Sequence, residues 1–219
     1  MPTAEAPKRK PNQRAATTRN KQQREAIMQM ARVVFGRDGY SRTSIDRLAA
    51  EAGMSTRTIY NHFPNKKTLF DHVLRDSATK VADRFEQDLA GIEHDDPRDQ
   101  LIAVGVALTT LEIENPDHFD MVRQIVPEAR HVGPRSLKRW QNAGPTRVVD
   151  AIAEMLREMS KRGDVRFPDP RLAALQFTAL TTVEVMRTWY EPVGADPERV
   201  AASVTAGVDV FLNGYTVRD

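Results

Sequence analysis

The stretch TSIDRLAAEAGMSTRTIYNHF, Thr43 to Phe63, decides the fold. Its first half places Ile45, Leu48, Ala49 and Ala52 at the i, i+3, i+4, i+7 spacing of one helix face, and Gly53 stops it. Thr43 and Asp46 read as a capping box at the start of that helix. After Gly53 and Met54, Ser55 caps another short helix with Ile59 and Phe63 inward, until Pro64 closes it. Two short helices across a glycine turn make a helix-turn-helix, whose second helix enters the major groove of a duplex.

Side-chain directions test that reading. At 100 degrees per residue, with Ile59 and Phe63 facing a core, Arg57 and Asn61 point most nearly outward, flanked by Thr58, Tyr60 and His62. A face kept only for solubility would carry Glu and Lys. Donors, acceptors and a ring instead suit base edges and phosphates.

Working outward, Ile27, Met30, Ala31, Val34 and Phe35 form the single apolar stripe of a preceding helix that ends at Gly39. Asn65 caps a long fourth helix through Leu69, Phe70, Val73, Leu74, Val81 and Phe85 to about Leu89. Further helix starts repeat one signal: Asp96-Pro97, Asn115-Pro116, Asp169-Pro170 and Asp196-Pro197 pair an N-cap side chain with a proline at the first helical position. Gly144-Pro145 is a weaker case. The spacing predicts helices over about 97–114, 116–130, 135–142, 145–162, 170–191 and 197–213. No strand pattern persists, so the fold is expected to be all-α, with about nine to ten helices.

Charge divides the chain. Residues 1–67 hold 14 Lys and Arg against 5 Asp and Glu, net +9, whereas the remainder holds 18 against 25, net −7. The basic part suits a polyanion, and the acidic part argues against nucleic acid wrapping the whole molecule. Residues 1–18, with Pro2, Pro7 and Pro11 and few large apolar residues, are expected to form a disordered basic arm. Its Lys8, Arg9, Lys10 and Arg14 read equally as solvated charge or as DNA contacts. No apolar run follows the first cations as a secretory signal requires, and none reaches the ~18 to 20 residues of a membrane span. A cytoplasmic protein without membrane contact is the expectation, and the absence of cysteine removes disulfides, thiolate zinc sites and thiol catalysis.

The combination Gly39-Tyr40 through Thr43, Leu48-Ala49 with Ala52-Gly53, Ser55, Thr58-Ile59-Tyr60, His62-Phe63 and Lys66 resembles the DNA-binding signature of the TetR family of transcriptional regulators, over about Arg24 to Leu74. Arg57 stands where many members carry glycine, and Lys67 where an acidic residue is common. Both departures add positive charge beside the expected phosphates and bear on the operator sequence. The resemblance implies phosphate contacts from Thr43, Ser44, Tyr60, His62 and Lys66. It leaves Ser55, at the start of the recognition helix, as a further DNA-facing residue, and Thr56, Arg57, Thr58 and Asn61 for bases, with Arg57 bidentate to guanine the sharpest expectation. Tyr60 as a half-buried ring and His62 as a structural hydrogen-bonder are the plainer readings.

The resemblance also implies three parts: the arm over 1–18, the helix-turn-helix domain over 19–66, and a ligand-binding and dimerisation domain over 67–219. Val122 to Pro145, with Glu128-Ala129-Arg130 and Ala143-Gly144-Pro145, is more loosely similar to one TetR C-terminal subtype. From the residues, the segment from Pro170 is apolar nearly all round, with Leu172, Leu175, Ala179, Val183, Met186 and Tyr190 on one face and Phe177, Leu180 and Thr181 beside it. Such a helix is buried on two sides. With Val200, Val204, Val208 and Phe211 of the last helix it suits a four-helix interface about a two-fold axis, hence a homodimer. Filling a monomer core is the other reading.

Residues to line an effector pocket are Leu108, Met121, Ile125, Trp140, Met155 and Phe177, with Glu112 and His118 as polar fixers of a small hydrophobic or amphipathic inducer. Ordinary core packing is the plainer reading of each. The function expected is a repressor released from a palindromic operator by that inducer. An activator or ligand-independent regulator of the same fold is the alternative, and a helical enzyme the distant one, since phosphate loops, G-x-S-x-G and H-E-x-x-H are missing. No cofactor and no metal are expected; His118 and Asp120 make at most a weak metal pair.

Overall fold

The computed structural model describes residues 13–163, 165–191 and 194–215, and among these it has eleven helices and no strand. In order they are α1 (Gln13–Asp38), α2 (Ile45–Glu51), α3 (Thr56–His62), α4 (Lys66–Ala90), α5 (Pro97–Glu114), α6 (Pro116–Val132), α7 (Pro134–Ala143), α8 (Pro145–Arg162), α9 (Pro170–Thr181), α10 (Val183–Arg187) and α11 (Pro197–Tyr215). Helix α1 starts six residues inside the stretch expected to be disordered. Lengthening a helix that is already nucleated adds a hydrogen bond for each residue fixed, and Gln13, Arg14, Ala15 and Ala16 are good helix formers. Lys8, Arg9 and Lys10 of the expected arm lie outside the described residues.

The caps largely follow the sequence. Asp96 accepts from the backbone N–H groups of Arg98 and Asp99, Asp169 from those of Arg171 and Leu172, and Asp196 from that of Glu198. Two caps differ from expectation. Ser44, not Thr43, is the N-cap of α2 and accepts from the Arg47 N–H. Thr43 Oγ1 instead donates to the Gly39 carbonyl at 2.7 Å, because Gly39, with φ +80°, turns that carbonyl under the loop. Asn115 makes no side-chain cap for α6 and donates from Nδ2 to the Leu111 carbonyl at 2.8 Å, since α5 and α6 meet without a connecting loop. There it satisfies a carbonyl that the helix end leaves open.

Two hydrophobic cores share α4. In the first, Phe35, Leu48, Ile59, Phe63 and Phe70 pack together, and Met121, Ile125 and Val132 of α6 complete it. The second gathers Phe85, Leu101, Leu156, Phe177, Val204 and Phe211. The first core therefore reaches beyond residue 66, and α6 is bolted to the helix-turn-helix rather than only to the C-terminal helices. Gly36 makes this closeness feasible: a Cβ there would lie 2.9 Å from Asp120 Cβ.

The expected single helix over 170–191 is broken at Thr182. Thr178, Thr181 and Thr182 each turn a hydroxyl back onto the carbonyl four residues earlier, an arrangement that bends helices. One side of α9 packs on α11 so closely that a Cβ on Gly207 would meet the Leu180 carbonyl oxygen at 2.5 Å. The face of α9 turned away from both α8 and α11 is bare. Leu172, Leu175, Val183 and Tyr190 are exposed, as is Val210 on α11. Val200, Val204, Val208 and Phe211 do not belong to that outer surface: all four are buried in the chain's own second core.

Candidate nucleic-acid interface and cavity

Helix α3 is two turns long, pinned by Ile59 and Phe63 beneath and by the Ser55 cap, whose hydroxyl accepts from the Thr58 N–H at 3.1 Å. Its outer surface presents Arg57, Tyr60 and Asn61, all exposed. Among the described residues none of the three side chains is hydrogen-bonded or ion-paired within the protein. Neighbouring cations are engaged: Arg37 and Arg47 pair with Asp38 and Glu51, and Arg42 donates to the Asp38 carbonyl. Partial exposure belongs to Thr56, Thr58 and His62; Thr58 shares its hydroxyl with Ser55, and His62 Nε2 lies 3.1 Å from Gln23 Oε1. Ser44 and Ser55 are exposed at the starts of α2 and α3, each used as a cap.

Three expected DNA-facing groups have internal work. Thr43 is buried and its hydroxyl is committed to Gly39. Lys66 donates to the carbonyls of Tyr40 and Thr43, both at 2.9 Å, with its ammonium over the Tyr40 ring. That burial lowers its pKa from the ordinary lysine value. Lys67, whose departure from the family pattern suggested added charge beside phosphates, is turned onto α6 and also pairs with Asp71. Its ammonium donates to the Val132 carbonyl at 3.1 Å and to Ser136, where the negative end of the α6 dipole attracts it.

The loop entering α2 is fastened to α6. Glu128 Oε2 accepts from the Ser41 N–H at 2.7 Å and from its hydroxyl at 2.8 Å. At the opposite end of α6, His118 Nδ1 lies 2.8 Å from Ser77 Oγ of α4. Burial, and behind it the charge of Arg32, lowers the His118 pKa to about 4, so its imidazole is neutral at pH 7. The unfolded chain then binds the extra proton between pH ~6.5 and 4, and stability falls as pH drops through that window. His118→Gln should remove on the order of 3 kcal/mol of that fall, read from urea unfolding at stepped pH. Identical pH profiles for variant and parent would contradict it.

Between α4, α5, α6, α8 and the α9–α10 break lies a cavity of about 260 Å³. Leu108, Glu112 and His118 line it, as the sequence suggested, together with Val81, Phe119, Val148, Met186 and Trp189, which it did not. The other five expected residues lie elsewhere. Met121, Ile125 and Trp140 pack in or against the first core, while Phe177 is buried in the second with Met155 packed against it. Glu112 accepts the Trp189 indole proton, and desolvation raises its pKa above the ordinary carboxylate value. His118 and Asp120 do not converge on a metal, since Asp120 pairs with Arg123. Among the described residues no helix is long and apolar enough to cross a membrane.

Comparison with known proteins yields two family models. That of the bacterial regulatory proteins of the TetR family matches residues 27–73, and that of the AefR-like transcriptional repressor C-terminal domain matches residues 99–217. The nucleoid occlusion factor SlmA of Vibrio atlanticus is 25% identical over 163 residues, which are 74% of this chain and 81% of the relative. Among solved structures, a TetR-family transcriptional regulator of Pseudomonas syringae pv. tomato superposes with TM-score 0.67 at 26% identity, covering 90% of this chain and 98% of that one. A protein of Mesorhizobium loti assigned to the same family superposes with TM-score 0.77 at 25% identity, covering 91% and 99%.

Proposed function

Because the chain belongs to the TetR family and is a DNA-binding transcriptional regulator, we propose that it is a dimeric repressor whose α3 helices occupy successive major grooves of a palindromic operator and whose cavity holds the inducer that releases it. The observation that carries this reading is the division of labour around α3: Arg57, Tyr60 and Asn61 stand exposed and uncommitted, while the surrounding cations are tied into the protein. Ser44, Ser55, Thr56, Thr58 and His62 flank that surface. The surrounding caps and ion pairs hold α3 rigid, so little ordering entropy opposes binding.

Release follows from the position of α6. Its first turns carry His118 and Phe119 of the cavity wall, and its last turn holds Ser41 through Glu128 and Lys67 through the Val132 carbonyl. A ligand that fits only when α6 and α4 part slightly shifts both helix-turn-helix units of a dimer and spoils their separation, about 34 Å for half-sites one duplex turn apart. By linkage, operator DNA weakens the ligand by the same factor. The apolar strip over Leu172, Leu175, Val183 and Val210 supports the dimer, and the likeness of the C-terminal half to AefR-like repressors supports repression.

The test is footprinting on DNA flanking the protein's own coding region, followed by transcription from that promoter. The expected result is a two-fold symmetric footprint, lower transcription with protein than without, and binding whose log K falls against log salt by ~0.9 for each phosphate neutralised. Salt-insensitive binding, or stimulated transcription, would overturn DNA recognition and repression respectively.

A further inference from the structure

We propose that the cavity selects a compact hydrophobic monocation, an amine or quaternary ammonium ion, with Glu112 as counter-ion and the rings of Trp189 and Phe119 as its walls. This rests on the reading of the cavity as the effector site and adds the charge of the effector. The cavity, about 260 Å³, falls just below the roughly 300–1,000 Å³ usual for small-molecule sites. A compact ligand follows.

The sign of charge comes from what the wall lacks. No Lys or Arg lines the cavity, His118 is neutral at pH 7, and the hydroxyls of Thr178 and Thr182 are spent on the Ala174 and Thr178 carbonyls. Glu112 is thus the one wall group able to carry charge at neutral pH, and among the described residues the Trp189 indole is its one hydrogen-bond donor. Arg123 offsets its charge only in part: the guanidinium makes no ion pair with Glu112, lies 5.6 Å from the Trp189 ring centroid and is paired with Asp120, and its attraction for Glu112 is outweighed by burial. A neutral ligand would bury that carboxylate with one donor, and an anion would face like charge. A cation meets the carboxylate and two aromatic side chains of the wall together, and desolvation strengthens both attractions. Burial raises the Glu112 pKa despite the Trp189 hydrogen bond and the charge of Arg123, in keeping with a carboxylate that has no ion-pair partner in the ligand-free chain.

Three probes with one skeleton separate charge from bulk: phenylbutylamine, phenylbutanol and phenylbutanoate, titrated calorimetrically into the intact protein at pH 7. The amine should bind about tenfold more tightly than the alcohol, with the anion weakest. In Glu112→Gln, which keeps an oxygen for the Trp189 indole, the gap between amine and alcohol should close. If that variant fails to fold, the probe series on the unaltered protein still decides. Equal affinities for amine and alcohol, no amine binding at millimolar concentration, or a folded Gln variant that keeps the preference would each overturn the assignment. Tight amine binding that leaves operator affinity unchanged sustains the charge selectivity and removes the effector reading instead.

Discussion

Leu175→Glu should leave the protein folded and monomeric, with operator affinity reduced by two orders of magnitude or more. Leu175 is one of the exposed apolar residues of α9, α10 and α11, between Leu172 and Val183 in sequence, and is 46% exposed in the isolated protomer. Its replacement therefore removes little from either core. Across a two-fold axis the same patch meets itself, so one substitution places two carboxylates in one interface. Burying each without a partner costs several kcal/mol after relaxation, and their mutual repulsion adds to that. DNA affinity falls because a paired protein binds its second half-site intramolecularly, an advantage on the order of 10² to 10⁴ that a monomer forfeits. Sedimentation velocity reads the association state, and fluorescence anisotropy on a full operator and a single half-site reads the affinity. Single half-site binding should be nearly unchanged. Val210→Glu, on another helix of the strip, should do the same; dimers that survive both substitutions would show that the pairing surface lies elsewhere.

That strip also shows what a sequence can disclose about this fold. Helix-turn-helix elements are specified by their immediate neighbours: Ser55 caps α3, Gly53 turns the chain, and Ile59 and Phe63 point the remaining side chains outward. Those signals act over a few residues, so the surface around Arg57 is legible directly. Periodicity in α9 and α11 says that apolar faces exist, but not what each one covers. Val204 and Val208 go to the chain's own core, while Leu175 and Val183 stay outside it, although all four have the same apolar character. Partner choice depends on where α5 and α8 lie, which no local pattern states.

The cavity is legible only in part for the same reason. Leu108 and Glu112 can be placed on one face of α5, but Trp189 reaches them across 77 positions through a break that back-bonded threonines create. Met121 and Ile125 fall outside the cavity because α6 has two tasks: its buried face completes the core under the helix-turn-helix, and only its first turns, at His118 and Phe119, reach the cavity. For Lys66 and Lys67, composition misleads. A basic segment suggests a polyanion, yet a lysine beside a loop carbonyl or a helix C-terminus finds an acceptor inside the protein first.

Arg57→Ala should erase base preference at one symmetric pair of operator positions while leaving the remaining positions unchanged. The substitution is clean because Arg57, exposed in the first turn of α3, holds no other residue in place among those described, so the fold and the dimer should be untouched. If its guanidinium forks onto guanine O6 and N7, each half-site loses ~1 to 3 kcal/mol of discrimination, and a dimer loses it twice. If it instead grips a phosphate, both preference columns survive and the salt dependence flattens, by ~0.9 in slope for each phosphate no longer neutralised and so by about 1.8 for the dimer. Selection from a random duplex pool, paired with a salt titration on the selected site, distinguishes the two. Tyr60 supplies the internal comparison. Its hydroxyl bears no net charge, so Tyr60→Phe should weaken every sequence alike and leave the salt slope in place. A selection matrix for Arg57→Ala that matches the parent at every position, with an unchanged salt slope, would mean that the groove is read by residues other than the one the geometry leaves most free to reach it.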